Sequence, residues 1–541
     1  MSKFIFITGG VISGVGKGVA TASIGAILQS RGFSVTAIKI DPYINVDAGT
    51  MNPLEHGEVF VTHDGVECDQ DIGNYERFLD VELSRLNYMT TGAVYSSVIR
   101  KERNLEYDGK TVEVFYHIPL EVLGRIKNAA RESDADFVLV EIGGTVGEYQ
   151  IALFLEAARM MLLQDKSDVL FVLVSYLLEP KMIGEMKTKP TQNAVRSLNS
   201  AGIQPDIIIL RSENAPDEVR KQKIATFCNV DQKSIIAGVD VKNSIYEVPL
   251  LFEEQNLGSV ILEKFGIEDV PSRMKGWEEI VHNIESNKKE VKIGVVGKYF
   301  ESGKFVFADS YISVLEAIKH AAWSLGLNPV IEGLNAEEYE KNPDTLKELK
   351  HYDGIIVPGG FGSRGIEGKI AVSRYCREND IPYLGLCYGM QIAVIDIARS
   401  LCGLKDANTT EIDKTTSHPV IDVMEGQKEN LQQKRYGGSM RLGNYECSIT
   451  PRTRAAEAYQ QKHVLERHRH RYEVNNEYKD QLEEAGCVFS GVNPETHLVE
   501  IMELKDHPFF LGTQFHPELK SRPMSPHPLF LSFIKVTQQS K

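Results

Sequence analysis

Phe4-Ile5-Phe6-Ile7-Thr8-Gly9-Gly10-Val11-Ile12-Ser13-Gly14-Val15-Gly16-Lys17-Gly18-Val19 stands almost at the start of the chain, and its reading decides the fold. An apolar run predicts a buried strand over Phe4–Thr8, a glycine-rich turn follows, and a helical stretch begins at Val19. Glycines let backbone N–H groups close around phosphate oxygens, and the helix N-terminus adds a favourable dipole. Lys17 then supplies the point charge that a β- or γ-phosphate needs. The match to G-x-x-x-x-G-K-S/T is imperfect. One extra residue lies between Gly10 and Gly16, and Gly18 replaces the hydroxyl that would hold Mg²⁺. Against the alternative of a glycine turn with an incidental lysine, the flanking strand and helix favour phosphate binding.

A missing hydroxyl requires metal ligands from elsewhere. Phe137-Val138-Leu139-Val140 reads as a strand ending in Glu141, where an α/β nucleotide site places a carboxylate. Asp71, in the acidic stretch Glu67-Cys68-Asp69-Gln70-Asp71, is the candidate partner, although alone it reads as a solvated loop acid. Lys187-Thr188-Lys189-Pro190-Thr191-Gln192 gathers cations and hydrogen-bonding side chains. With Lys223 downstream it forms a possible second triphosphate site, set against the ordinary reading of a solvated helix start.

Further strands are expected over Val35–Ile40, Phe137–Ile142, Val169–Val174 and Asp206–Leu210, alternating with amphipathic stretches as in a parallel α/β sheet. Residues 269–290 carry Pro271 and many charges and read as a linker between a domain at 1–268 and one at 291–541. The second domain opens on Val291–Gly297, with later strands at Gly354–Val357, Tyr383–Leu386, Leu498–Met502 and Phe509–Phe515.

Composition narrows the class. The 541 residues are 42% hydrophobic and 25% charged, as in ordinary globular proteins. Lys and Arg number 60 against 75 Asp and Glu, a net charge of −15 that disfavours nucleic-acid or anionic-membrane binding. No apolar run approaches the roughly 20 residues that span a bilayer, and Met1–Ile5 lacks a signal pattern. Cys68, Cys228, Cys376, Cys387, Cys402, Cys447 and Cys487 are scattered without C-x-x-C spacing, which points away from disulfides and zinc and toward a reducing cytoplasm.

Only Cys387 has a neighbourhood with chemical meaning. Tyr383-Leu384-Gly385-Leu386-Cys387-Tyr388-Gly389-Met390-Gln391 reads as strand, tight turn and helix, a nucleophile elbow whose helix N-terminus favours a thiolate. Gln514-Phe515-His516-Pro517-Glu518 lies 129 residues downstream of the cysteine, counted to its histidine. His516 can act as base, and Glu518, two residues on, can orient the imidazole. Pro358-Gly359-Gly360-Phe361-Gly362 can present backbone N–H groups to an oxyanion. Each piece alone has a commoner structural reading, but the three together at strand ends are specific.

With these residues in view, the second half resembles a class I (triad) glutamine amidotransferase domain. The whole chain resembles CTP synthases from end to end. Beyond the glycine loop and elbow, Lys39-Ile40-Asp41-Pro42-Tyr43-Ile44-Asn45, His56-Gly57-Glu58-Val59-Phe60-Val61, Lys187–Gln192 and Arg467–Asn475 carry the likeness. It implies two doubly wound, mostly parallel-sheet α/β domains, the first of the P-loop, dethiobiotin-synthetase-like kind. It implies phosphorylation of UTP at O4 by ATP, glutamine hydrolysis at Cys387, and amination at C4 to give CTP. By the same resemblance Gly14, Val15, Gly16, Lys17, Gly18 and Val19 hold ATP, with Asp71, while Arg211, Asp240 and Val241 lie near its adenine. Asp71 and Glu141 bind Mg²⁺. Ser13, Glu148, Tyr149, Gln150, Lys187, Thr188, Lys189, Pro190, Thr191, Gln192 and Lys223 match the UTP and CTP positions. Gly360, Tyr388, Gly389, Met390, Gln391, Glu411 and Arg471 match the glutamine positions. A cytoplasmic homotetramer, activated by GTP and inhibited by CTP, completes what the resemblance implies.

Four departures stand out. Tyr388 follows the nucleophile where the family usually has leucine. Gly147-Glu148-Tyr149-Gln150-Ile151 replaces the usual Gly-Asp-Ile-Glu-Ser, and Thr111-Val112-Glu113-Val114-Phe115-Tyr116-His117 replaces Thr-Val-Gln-Val-Ile-Pro-His. The segment Glu301–Asp309 is longer than usual. Two rival readings remain open. A cobyric acid synthase would not need Lys187–Gln192, and a partition-type ATPase would carry a broken triad and an earlier signature lysine.

Overall fold

The computed structural model describes residues 2–180, 182, 184–286, 289–298, 308–423 and 440–539; most of the segment 301–309 lies outside them. The chain divides into two compact units. One comprises residues 1–48 and 71–285, the other residues 49–70 and 286–541.

The first unit is built on a seven-stranded parallel sheet. Its strands are β1 (Lys3–Gly10), β2 (Val35–Asp41), β3 (Tyr88–Thr90), β4 (Phe137–Ile142), β5 (Val169–Tyr176), β6 (Ile207–Ser212) and β7 (Ile235–Val239), in the order β3-β2-β4-β1-β5-β6-β7. Near-continuous runs of Ile, Val, Leu and Phe suit strands buried on both faces. Phe6 and Phe171, for example, stack at 5.4 Å across β1 and β5. β3 and β7 have no counterpart in the sequence reading: β3 is three residues long, and β7 is bounded by no strong turn signal. Ile7 of β1 pairs with Glu141 of β4, and Lys39 of β2 pairs with the same glutamate, so three strand ends converge where the glycine loop emerges. β1 is also the point at which successive connections leave toward opposite edges of the sheet, where open α/β sheets bind ligands. Helix α1 (Lys17–Ser30) starts beyond the glycine loop, and α2 (Gln70–Leu79), α3 (Lys189–Ser200) and α4 (Glu218–Cys228) carry the other candidate residues.

The stretch expected as a linker is partly helical. Helix α5 (Lys275–Ser286) buries Trp277 against Phe78 at 5.2 Å and Tyr246 at 6.1 Å. One large aromatic among charges suffices to dock a helix, and such an isolated anchor leaves little periodic signal.

The second unit holds a nine-stranded sheet. Its strands are β8 (Glu290–Gly297), β9 (Asn328–Asn335), β10 (Gly354–Val357), β11 (Tyr383–Leu386), β12 (Arg441–Ile449), β13 (His463–His470), β14 (Cys487–Val492), β15 (Val499–Leu504) and β16 (Phe510–Thr513). They lie in the order β9-β8-β10-β11-β16-β15-β14-β12-β13, parallel from β9 to β16 and antiparallel beyond. Helices α6 (Ile312–Ser324), α7 (Ile366–Glu378) and α8 (Tyr388–Ser400) pack on this sheet. Leu386 pairs with Thr513, which sets the residue after β11 beside the residues after β16.

Residues 49–70 join this second unit, a finding absent from the sequence reading. Their short ribbon, Phe60–Val61 with Glu67–Cys68, is held by Arg467 and Arg469 of β13. Arg467 Nη1 donates to the Val61 carbonyl at 3.1 Å, and its guanidinium lies 5.3 Å over the Phe60 ring. Arg469 pairs with Glu67 at 2.8 Å. Among the described residues no helix is long and apolar enough to cross a membrane.

Candidate active sites

In the first unit the turn after β1 is strained. Val11 takes φ +79°, where a β-branched residue is rarely found, and Gly14 and Gly16 take φ +68° and +87°. Lys17 folds back so that Nζ donates to the Gly144 carbonyl at 2.9 Å. Burial lowers its pKa below the ordinary lysine value, with Glu141 pulling the other way.

Gly18, unexplained by the P-loop pattern, has a steric reason. A Cβ there would lie 2.1 Å from Asp71 Oδ1, so the place of the usual hydroxyl is occupied by a carboxylate carried on α2. Asp71 and Glu141 converge on one cation, Lys39. Its Nζ contacts Asp71, lies 2.8 Å from Glu141 Oε1 and 3.8 Å from Asp41. Burial opposes the charged form of Asp71, but Lys39 outweighs it and holds the carboxyl below its usual range. Burial dominates at Glu141 and Asp41 and raises both. Tyr75 donates to Glu141, and Thr21 donates to it at 3.3 Å. Two carboxylates gathered on one cation beside a phosphate loop form a hard-oxygen donor set that fits Mg²⁺ completed by phosphate oxygens. Among the described residues no three His, Cys, Asp or Glu side chains cluster as a metal cage. Lys39 was quoted from sequence only as part of the Lys39–Asn45 motif and given no site role; a lysine inside a fully buried strand was the available signal.

Arg211 pairs with Asp240 at 2.6 Å, and its Nε would lie 3.5 Å from a Cβ on Gly16, which sets both residues beside the glycine loop. Val241 follows them, half-buried, and Ser13 is exposed on the loop. Lys187 pairs with Glu185 at 2.7 Å, and the charge of Lys223 also reaches that glutamate, so the two lysines share a neighbourhood. Lys189 and Pro190 begin α3. Thr188, Thr191 and Gln192 are turned inward instead: Gln192 donates to Thr188 Oγ1 at 3.1 Å and Thr191 accepts from Ser175 at 2.9 Å. Several of their hydrogen-bonding groups are engaged inside the fold, which a polar sequence run does not reveal, while Gln192 Oε1 is buried without a hydrogen-bond partner among the described residues. Tyr149 is 98% exposed. Gln150 Nε2 donates to Glu148 Oε2 at 2.8 Å.

In the second unit Cys387 stands at the turn between β11 and α8 with φ +50° and ψ −99°, a strained conformation for a residue with a side chain. The turn closes only with glycines. A Cβ on Gly385 would meet Gly389 at 2.7 Å, and one on Gly389 would meet the Val357 carbonyl at 2.0 Å. Register brings His516 to the same place, where its backbone N–H donates to the Arg467 carbonyl at 2.7 Å. His516 Nδ1 lies 2.7 Å from Glu518 Oε1, and the imidazole also interacts with Cys387. Burial disfavours the imidazolium, yet Glu518 and the Cys387 sulfur outweigh it and hold the pKa well above the usual histidine value. Gln514 Nε2 donates to Cys387 Sγ at 3.7 Å, and the thiol faces the Arg469 carbonyl at 3.9 Å.

Gly359 and Gly360 line the cleft that contains Cys387, His516 and Glu518. A Cβ on Gly359 would lie 2.8 Å from His516 Cε1 and 3.7 Å from Cys387 Cβ, so this loop approaches both groups closely. Glu411 Oε1 accepts from the Gly362 N–H at 2.8 Å; burial raises its pKa, while Lys298 and Arg471 oppose that. Glu411 and Arg471 thus lie near enough for their opposite charges to interact. Gln391 donates to the Tyr472 carbonyl at 2.9 Å and to Gln514 at 3.2 Å. Met390, in the first turn of α8, turns its side chain into the core, 2.6 Å from where Gly512 would carry a Cβ. Gln514, Arg469 and Lys298 were not named as site residues, because none belongs to a triad pattern.

Residues 3–267 match the CTP synthase N-terminus family and residues 306–536 match glutamine amidotransferase class-I. The chain is 49% identical to the CTP synthase of Thermococcus gammatolerans over 100% of its own length and 99% of the relative's. The chain belongs to the CTP synthase family. It is 48% identical to the Bacillus subtilis CTP synthase over 100% of this chain and 99% of that one. Among solved structures it is similar to the glutaminase domain of Trypanosoma brucei CTPS with bound acivicin: 38% identity, 46% of this chain, 94% of that chain, TM-score 0.43. A glutamine-hydrolysing, ATP-dependent ligase of pyrimidine nucleotide biosynthesis follows from membership of the family.

Proposed function

We propose that the first unit phosphorylates O4 of UTP with ATP and that ammonia from glutamine then displaces the phosphate at C4 to give CTP. The observation that carries this reading is the presence, in one chain, of a complete Cys387–His516–Glu518 elbow and of Lys17, Asp71 and Glu141 around a phosphate loop. Cys387 attacks the glutamine amide carbon; His516, oriented by Glu518, delivers a proton to the departing nitrogen, and ammonia leaves. Water then attacks the thioester, glutamate departs, and the thiolate is restored. The N–H groups of Gly360 and Tyr388 face the oxygen on which charge develops. In this reading Gly14–Val19, Arg211, Asp240 and Val241 hold ATP. Asp71 and Glu141 would hold Mg²⁺, which neutralises developing phosphate charge when bound. Lys17 orients the transferred phosphoryl group, and Lys187, Lys223 and Glu148–Gln150 engage the pyrimidine nucleotide.

The division of labour places the synthetase within 1–268 and the glutaminase within 291–541. Activation by GTP, inhibition by CTP, a homotetrameric state and a cytoplasmic location belong to the same proposal. The free state of every described cysteine fits a reducing compartment. The test is ultraviolet absorbance: with UTP, ATP, Mg²⁺ and glutamine the cytosine spectrum grows in. No change with either glutamine or ammonia refutes the reading.

A further inference from the structure

The residue after the nucleophile is tyrosine here, and its side chain does something that an aliphatic residue cannot. Tyr388 is buried, and its hydroxyl donates to the Gly362 carbonyl at 3.1 Å. Burial, with Glu411 nearby, pushes the phenol far above its ordinary pKa, so it remains a protonated donor. The other polar groups of this loop segment are also engaged. Lys298 Nζ donates to the Phe361 carbonyl, and the Gly362 N–H is held by Glu411. Gly362 takes φ +80°, a conformation that leaves the segment few alternatives once those contacts form.

A second cation stands behind the tyrosine. Lys369 of α7 is 1% exposed, and its Nζ lies 5.4 Å from the centroid of the Tyr388 ring and 3.8 Å from where a Cβ on Gly360 would stand. Among the described residues it has no carboxylate partner; the charge of Lys298 opposes its own, and the ring face is a favourable contact. The N–H of Gly360 makes no hydrogen bond among the described residues, and the Tyr388 N–H belongs to the unpaired first turn of α8. The Gly360 donor therefore depends on how firmly its loop is fixed, whereas the Tyr388 donor is set by α8.

We infer that Tyr388 is a positioning residue for glutamine hydrolysis: its hydroxyl, on a ring backed by Lys369, ties down residues 360–362 and keeps the Gly360 N–H aimed, beside that of Tyr388, at the developing oxyanion. This rests on Cys387 being the nucleophile. An oxyanion donor is worth about a hundredfold or more in kcat. Loosening one of three ties on its loop should cost a fraction of that. The loss falls on kcat and spares KM, because the ground-state carbonyl gains little from these donors.

The test uses the full chain and measures glutamine hydrolysis alongside CTP formation from ammonia. Tyr388→Phe, which keeps the ring, is expected to lower kcat for hydrolysis about fivefold. KM for glutamine and the ammonia-dependent rate should stay within about twofold. Tyr388→Leu should lose more, about tenfold or beyond. Lys369→Met should slow the wild-type background but add nothing to Tyr388→Leu, as expected if the two act on the same loop. A Tyr388→Phe kcat within about twofold of wild type, or an equal loss of the ammonia reaction, overturns the inference. Cys387→Ala is run beside them. Retained hydrolysis there refutes the nucleophile assignment itself, whereas a dead Cys387→Ala beside a fully active Tyr388→Phe refutes only the role of the hydroxyl.

Discussion

Replacing Gly18 by serine would restore the usual P-loop hydroxyl, and the structure predicts that it disables the enzyme. A Cβ at this position lies 2.1 Å from Asp71 Oδ1 and 2.7 Å from Cγ, with ordinary contact beginning near 3.4 Å. The carboxylate must therefore retreat by more than an ångström. It cannot shift as a body, since α2 is anchored by buried Ile72 and Tyr75, so it must rotate away from Lys39 and Glu141. Displacing a catalytic group by about 1 Å costs on the order of a hundredfold, or roughly 3 kcal/mol of barrier. Gly18→Ser should accordingly lose CTP formation at least about a hundredfold with either nitrogen source, while the helix itself gains about 0.5 kcal/mol in propensity. The assay is the cytosine absorbance change with saturating ammonia, which isolates the first unit, repeated across a Mg²⁺ titration. Turnover within about threefold of wild type would refute both the steric argument and the assignment of Asp71 to the metal.

Cys387→Ala should abolish CTP formation from glutamine yet spare formation from ammonia; equal loss of both would reject the two-site division. Glu141→Gln should lose both, by about a hundredfold in the ammonia assay, since charge neutralisation at the phosphates is shared. Gln150→Glu would add a charged acceptor, worth roughly 1 kcal/mol more than a neutral one, but would set it against Glu148, now a donor's length away at 2.8 Å. The CTP inhibition constant should change by less than about threefold, whereas Glu148→Gln should weaken inhibition several-fold; a several-fold tightening in Gln150→Glu rejects this account. Burial depresses the pKa of Lys369 from 10.5 to about 7, so its stabilising contribution is present above 10.5 and lost as pH falls through about 7. Lys369→Met should therefore raise the melting temperature at neutral pH, where the depression from 10.5 to about 7 corresponds to at most about 5 kcal/mol, with the gap narrowing as pH rises.

Chemistry confined to a few consecutive residues was legible in the sequence, and chemistry assembled from distant ones was not. The elbow could be read because Gly385 and Gly389 flank Cys387 for steric reasons that leave no substitute, and the glycine loop for the same reason. Lys39 and Gln514 were passed over because each acts only through partners that register supplies. β12 and β13 escaped notice because they bury Arg441, Glu466, Arg467, His468 and His470, and a strand that buries charge shows no apolar alternation. The buried positions of Thr191 and Gln192 went unread for the converse reason: a polar run looks solvated whether or not its hydrogen bonds are internal.

The placement of residues 49–70 has a consequence in time. Val61 leaves the ribosome early, but Arg467, whose guanidinium it must accept, is 406 residues further on. At about 5–20 residues per second that is roughly 20–80 s of synthesis. Through that interval Phe60, Val61 and Cys68, all fully buried in the finished protein, have no surface to join. The growing chain thus carries a short adhesive β-ribbon for most of its birth, and the glutaminase sheet that finally covers it is the last part to be made.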